Sequence, residues 1–309
     1  MLTAKLTKML NKLPSKNGVG PSRVFLPAGH YPNLLDFLVA NFPNGTRAGW
    51  ISRMLQGNVL DRQGRPLSPD APYLPNQHLY YYRELRTEAM IPFEESIIYQ
   101  DDYLVVADKP HFLPVAPVGT FLQETLLVRL KRKLGIDTLN SAHRIDLETA
   151  GLVLFTIQPE TRGEYQKLFQ EHKITKHYEA IAPYDASLRF PRVCVSRIEE
   201  SALFMQMHEV EGPANSETRI EVLETRGGWA KYKLSPVTGK KHQLRVHMNA
   251  LNLPLKNDQI YPKLQSYVHP EHRDYSRPLQ LLAKSLSFID PLTQELRVFE
   301  SKLQLNWDA

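Results

Sequence analysis

Cysteine is almost missing from this chain: Cys194 is the only one in 309 residues. A single thiol excludes a disulfide within the chain and a zinc site built on cysteines. A chain with no disulfide framework suits a reducing compartment, so a cytoplasmic location is expected. In Val193-Cys194-Val195 the thiol lies in a strand-like stretch and reads as a small buried hydrophobe rather than a nucleophile. Long apolar runs are missing as well. None approaches the roughly 20 residues that span a bilayer, and the N-terminus lacks the unbroken apolar stretch of a secretory signal. Neither sign of charge dominates: 38 Lys and Arg against 33 Asp and Glu leave +5. That mild excess agrees with a nucleic-acid partner without requiring one. With 42% hydrophobic and 23% charged residues, the composition is that of a globular protein, and the length allows more than one domain.

What is present is concentrated in one place. Ser141-Ala142-His143-Arg144-Ile145-Asp146-Leu147-Glu148-Thr149-Ala150-Gly151 is a dense polar knot that runs straight into Leu152-Val153-Leu154-Phe155. A short aliphatic run beside a glycine reads as a buried strand. The knot is thereby held at the edge of a core, the rigid support that a charged site needs. Asp146 is the candidate catalytic carboxylate and Arg144 its polar neighbour.

The stretch 143–151 resembles the HRLDxxTSG signature of the RluA-type pseudouridine synthases, with Leu147 where Arg is frequent and Ala150 where Ser is frequent. The resemblance implies that Asp146 is the catalytic residue. Other stretches resemble the family's motifs in the same order. Residues 97–110 look like its opening motif, ending in Lys109-Pro110, with Asp108 in place of Asn. Lys176-His177-Tyr178-Glu179-Ala180 is similar to K-x-Y-x-A and makes Tyr178 the active-site tyrosine. Thr238-Gly239-Lys240-Lys241-His242-Gln243-Leu244-Arg245-Val246-His247 resembles TGRTHQIRVH. Residues 251–261 follow its H-P-I and G-D-x-x-Y pieces, with Asn257 for Gly, a residue that tolerates left-handed backbone. The closing strand motif, 282–291, has Leu282 and Asp290 where histidines are common. Together these cover roughly residues 92–300.

The expected organisation has three parts. A basic leader and linker occupy 1–22, with Leu2, Leu6, Met9, Leu10 and Leu13 at helical spacing among lysines. A small α/β module occupies 23–86. There Asn33 caps a helix, a second helix runs over 46–56 to Gly57, and a hairpin turns at 61–64. This module resembles the RNA-binding module of ribosomal protein S-four type, with Arg47, Arg53, Arg62 and Arg65 as phosphate partners. The catalytic domain occupies 87–309. It is expected to be α+β, a mixed, mainly antiparallel β-sheet with flanking helices, as its successive strand patterns and the family resemblance imply. A helix is predicted over 121–134, its last turns carrying Arg129, Lys131, Arg132 and Lys133, which suit either the helix dipole or phosphate.

The resemblance implies isomerisation of uridine in structured RNA, ribosomal or transfer. The N1–C1′ bond breaks, the uracil turns, and C5 joins C1′. No redox step and no group transfer occurs, so no cofactor and no metal is expected. Asp146 supplies the carboxylate, Arg245 the cation that holds it ionised, and Tyr178 the aromatic surface for the base. Arg144, Lys109, Lys176, Lys240 and His242 are candidate substrate contacts. Leu244 is a candidate pocket wall, although on a strand its side chain alternates with that of Arg245. A uridine in structured RNA must leave its stack to reach such a site. Attack of Asp146 at C1′, attack at C6 and elimination to a glycal all remain open. A monomer without membrane association is expected.

Two rival readings are available. Asp146 and Glu148 share a face if they lie on a strand and could serve as a glycosidase pair, but the cation-rich setting is wrong for a general acid of raised pKa. An RNA-binding or RNA-folding protein without turnover is the other, and binding alone does not need Asp146, Tyr178 and Arg245 together.

Overall fold

The computed structural model describes residues 13–43, 45–83, 88–203, 205–266 and 268–309. The leader helix expected at 1–13 lies outside these residues except for Leu13. The chain divides into two compact units, Met1–Glu88 and Ala89–Ala309.

The first unit runs β1 (Ser22–Leu26), α1 (Leu34–Asn41), α2 (Arg47–Leu55), β2 (Val59–Leu60) and β3 (Gln77–Tyr81), with strand order β1-β3-β2. Asn33 caps α1 by accepting from the Asp36 amide at 2.8 Å, and Thr46 caps α2 by accepting from that of Gly49 at 3.1 Å. Leu34, Leu35, Phe37 and Leu38 of α1 meet Trp50 and Met54 of α2 over the sheet. The expected hairpin is reduced to a single bridge between Leu60 and Pro66. Pro66 has no amide to donate, so β2 takes its main partner from β3 instead.

The second unit contains β4 (Ser96–Gln100), β5 (Leu104–Lys109), α3 (Leu126–Leu134), β6 (Asn140–Ser141), β7 (Ala150–Thr156), α4 (Arg162–Gln170) and β8 (Thr175–Pro183). It continues through β9 (Arg192–Glu200), β10 (Met207–Val210), β11 (Ser216–Arg226), β12 (Trp229–Pro236), α5 (Gln243–Ala250), β13 (Leu281–Ile289) and β14 (Leu296–Glu300). Eleven strands form one sheet, ordered β10-β9-β11-β12-β8-β13-β7-β5-β4, with β14 on β13 and β6 on β7. Among the described residues only β13 and β7 pair in parallel. The fold is α+β with a mixed, mainly antiparallel sheet, as expected.

Every residue of β7 is buried, because helices cover both faces. Val153 and Phe155, with Val105 and Ala107 of β5, pack toward Leu126 and Leu130 of α3. Leu152 and Leu154, with Leu104 and Val106, pack toward Tyr165 and Leu168 of α4. An unbroken aliphatic run is what a strand buried on both faces requires. Gly151 has φ +108°, and a Cβ there would lie 2.3 Å from the carbonyl oxygen of Ala283. The parallel contact of β7 with β13 therefore admits only glycine.

One boundary and one element type differ from the sequence expectation. The helix predicted over 121–134 begins at Leu126, where Thr125 caps it by accepting from Val128, and ends at Gly135 in the left-handed region. Arg129 is not available to phosphate. It donates to the carbonyls of Ile91 and Phe93 and pairs with Glu95 and Glu124. Leu244 and Arg245 lie on helix α5, not on a strand. All residues from Gln243 to Met248 are buried, so this helix has no polar face to set a 3.6-residue pattern, and Leu-x-Val-x-Met imitates a strand.

Candidate active site

Loop 142–149, between β6 and β7, carries Asp146 to a cleft that also takes Lys176 and Tyr178 from β8, Pro236 at the end of β12, and the N-terminus of α5. Lys176 and Tyr178 are two apart on one strand and so point the same way. The cleft is shallow, with a volume of about 90 Å3, and is open to solvent. Asp146, Tyr178, Arg245, Arg144, Lys176, Leu244, Lys240 and His242 all line it. Leu244 thus does form part of the wall while also packing in the core.

Arg245 organises the carboxylates. Its side chain is 2% exposed. Nε donates to Oδ2 of Asp258 at 2.8 Å and Nη2 to Oδ1 at 2.5 Å. Nη2 also donates to Oε2 of Glu148 at 3.1 Å, and Nη1 lies 3.5 Å from Oδ2 of Asp146. Burial alone would lower the guanidinium's pKa, but the hydrogen bonds and charge of Asp258, with Asp146 and Glu148, raise it above its ordinary value. Asp258 is in turn held by the amides of Ile260 and Tyr261, which donate to its Oδ1. The preceding residue, Asn257, has φ 63° and donates from its side chain to the carbonyl of Pro278.

Lys109 does not line the cleft. It is fully buried, and Nζ donates to the carbonyls of Pro110, Leu113 and Leu147 at 3.0, 2.7 and 3.0 Å. Three acceptors match the three donors of an ammonium, so its place in the substrate-contact set is corrected to a clasp under the Asp146 loop. Burial lowers its pKa to about 7 against the opposing pull of Asp146 and Glu148. His111 fixes the same loop from the other side through Nδ1 and the Glu148 carbonyl, 2.7 Å apart. His143, despite opening the motif, is structural. Its Nε2 accepts from the Leu154 amide at 3.1 Å and its ring stacks on Phe169 at 4.3 Å.

His242 faces Asp146, with Nε2 4.0 Å from Oδ2. It caps α5 with φ 56°, a strained conformation for a non-glycine residue. Burial lowers its pKa, Asp146 opposing, so the imidazole is neutral at pH 7. Nδ1 lies 3.1 Å from the Tyr261 hydroxyl, which also meets the backbone of Met207. Tyr178 is half-buried, and burial followed by the charge of Asp146 raises its phenol well above the ordinary range. Lys176 donates to the carbonyl of Thr238, and burial lowers its pKa. Arg144 and Lys240 are exposed, and Arg144 has no ion pair among the described residues.

The glycosidase reading fails on this geometry. Asp146 and Glu148 lie in a loop, not on a strand. Glu148 has the pKa raised by burial that a general acid needs, contrary to the expectation from sequence. Yet it is buried behind Arg245 and does not line the cleft, so the two carboxyls do not flank one bond. Asp258 was missed as the partner of Arg245. Its place in a G-D-x-x-Y-like stretch was the available signal, but no pattern says which cation a buried Asp meets. Among the described residues no group of three His, Cys, Asp or Glu side chains is placed to hold a metal ion, and no helix is long and apolar enough to cross a membrane.

The family model for RNA pseudouridylate synthase matches residues 103–250. An uncharacterized RNA pseudouridine synthase of Synechocystis is 31% identical over 232 residues, 74% of this chain and 79% of that one. The dual-specificity RNA pseudouridine synthase RluA of Haemophilus influenzae is 33% identical over 215 residues, 67% of this chain and 92% of the relative. The solved structure of human RNA pseudouridylate synthase domain containing 4 superposes with a TM-score of 0.52 at 25% identity, covering 69% of this chain and 89% of that one. With the motif loop, the tyrosine strand and the arginine helix converging on one cleft, the chain belongs to the RluA-type RNA pseudouridine synthases, isomerases that act on RNA.

Proposed function

We propose that this protein converts a specific uridine of a structured ribosomal or transfer RNA to pseudouridine in the cytoplasm, acting as a monomer with Asp146 as its catalytic carboxylate. One observation carries the assignment: Arg245 joins the half-buried Asp146 to the buried Glu148 and Asp258 at the floor of a cleft walled by Tyr178. Of the three carboxylates around the guanidinium, Asp146 is the one that reaches solvent, its side chain 28% exposed. The other two hold the arginine in place, so Asp146 is aimed into the cleft by a fixed partner.

The flipped uracil stacks on Tyr178 with its ribose over Asp146. Burial and the charge of Asp146 keep the phenol protonated, so it can hand a proton on but not act as a standing base. The neutral His242 beside Asp146 adds no second cation that would tie the carboxylate down. Lys176, Lys240 and the exposed Arg144 ring the cleft as phosphate partners and, for Arg144, as a filler of the vacated stack. All chemistry belongs to the chain's own groups, and no cofactor enters the scheme.

The test is Asp146→Ala against wild type on total RNA from cells lacking the gene. Wild type should add pseudouridine at one or a few sites of this RNA, and Asp146→Ala should bind the RNA and add none. Modification by Asp146→Ala equal to that by wild type would refute catalysis by Asp146, and no modification by wild type would favour a binding protein without turnover.

A further inference from the structure

The first unit carries an outer sheet face that the catalytic reading leaves unused. In the register of β1 on β3, Val24 pairs with Leu79 and points into the helices, so the alternate pairs Arg23 with Tyr80 and Phe25 with His78 point away from them. Leu60 of β2 lies beside Tyr80 on the same side. Phe25 is 52% exposed and its ring lies 5.4 Å from that of His78. His78 and Tyr80 of β3 lead to a recess that the buried Tyr82, just past the strand's end, lines with Lys16 and Arg62, and Lys16 Nζ lies 4.4 Å over the Tyr82 ring.

The charges follow the rings. Arg47 and Arg65, the phosphate partners expected from sequence, are paired with Asp36 and Asp61. Arg23, on the face itself, and Arg62, at the recess, have no ion pair among the described residues, and no acidic residue stands among the outward positions of the three strands. An exposed Phe25 ring with half-buried His78 and Tyr80 beside it on a rigid sheet, with unpaired cations and no carboxylate among the outward strand positions, complements a chain of unpaired bases and phosphates.

We propose that this face is a stacking platform for a single-stranded segment of the substrate RNA, beside the structured part that presents the uridine. The proposal rests on the reading of the chain as an RNA-modifying enzyme. A base stacks on Phe25 and His78, the next on Tyr80, and Arg23 and Arg62 take the phosphates. Bases paired in a duplex cannot offer their faces, so the platform discriminates against double strands.

The experiment uses the full chain and a fluorescein-labelled single-stranded RNA of about a dozen nucleotides, alone and annealed to its complement. Phe25→Ala and Tyr80→Ala should each weaken single-strand binding by roughly tenfold and leave duplex binding unchanged, while Phe25→Tyr restores it. Arg23→Ala should lower the slope of log affinity against log salt by about one. On the whole substrate RNA, KM should rise in Phe25→Ala with kcat unchanged. Single-strand affinity indifferent to both ring variants, or an equal loss for duplex, overturns the proposal. So does sedimentation showing wild type as a dimer that Phe25→Ala dissolves while oligonucleotide binding stays intact, because the face is then a protein interface. The binding readout needs no turnover, so failure here is separate from failure of the Asp146 experiment.

Discussion

Arg245 and Asp258 meet side by side, Nε to Oδ2 at 2.8 Å and Nη2 to Oδ1 at 2.5 Å, with both side chains out of solvent. This pair sets where the guanidinium can stand, and so where Asp146 is held. Asp258→Ala leaves a buried cation whose remaining partners are Glu148 and Asp146, and removing one partner of a buried pair costs about 3–5 kcal/mol. The expected result is a large drop in melting temperature together with reduced kcat. Asp258→Asn, which keeps the shape and an acceptor oxygen, should recover part of the stability but less of the activity. Full activity in a folded Asp258→Ala protein would show that Arg245 needs no such support.

Tyr178 offers the base a ring and a hydroxyl, and the two can be separated. Tyr178→Phe keeps the stacking surface, so KM should change little, while kcat falls on the order of 10²-fold if the hydroxyl carries a proton. Because the phenol is raised above its ordinary pKa of 10, the wild-type rate should show no decline from its ionisation up to about pH 10. Single-turnover rates across pH check both points.

Lys109 holds three carbonyls that no other donor reaches among the described residues. Lys109→Met fills the space and leaves those acceptors unsatisfied, a loss of about 3 kcal/mol. Because the Leu147 carbonyl follows Asp146 by one residue, the loop should loosen and kcat should fall. Urea unfolding and hydrogen exchange of loop 142–149 measure the two effects. A kinetic loss without a stability loss would contradict the clasp.

His143 and His111 set a pH limit. Burial holds both neutral, lowering His143 to about 3 and His111 to about 4, from 6.5. The unfolded chain therefore takes up protons first as pH falls. The stability of the neutral, buried rings is intact above about pH 6.5 and is lost progressively toward pH 4 and below. For His143 the change by pH 4 is on the order of 3 kcal/mol. His143→Gln keeps an acceptor for the Leu154 amide and cannot titrate, so its unfolding midpoint should fall less steeply between pH 6.5 and 4 than that of wild type. Equal slopes would show that His143 is charged in the folded protein.

The chemistry of this protein is local in its sequence. Asp146 in its motif, Tyr178 on an alternating strand and Arg245 in a basic stretch are each legible because motif residues lie within a few positions of one another. The β7 run and the cap at Asn33 are legible for the same reason. What tertiary structure decided is everything that depends on residues far apart. The partner of Arg245 proved to be Asp258, Lys109 turned inward to three carbonyls, and Arg129 was consumed by Glu95 and Glu124. Helix α5 could not be told from a strand because burial on all sides removes the polar face that marks a helix. The chain's own order of residues determined which side chains are candidates for the chemistry. Only the folded arrangement decided which charges are paired with one another and which are left for RNA, because pairing depends on distance in space, and that distance is set by the sheet.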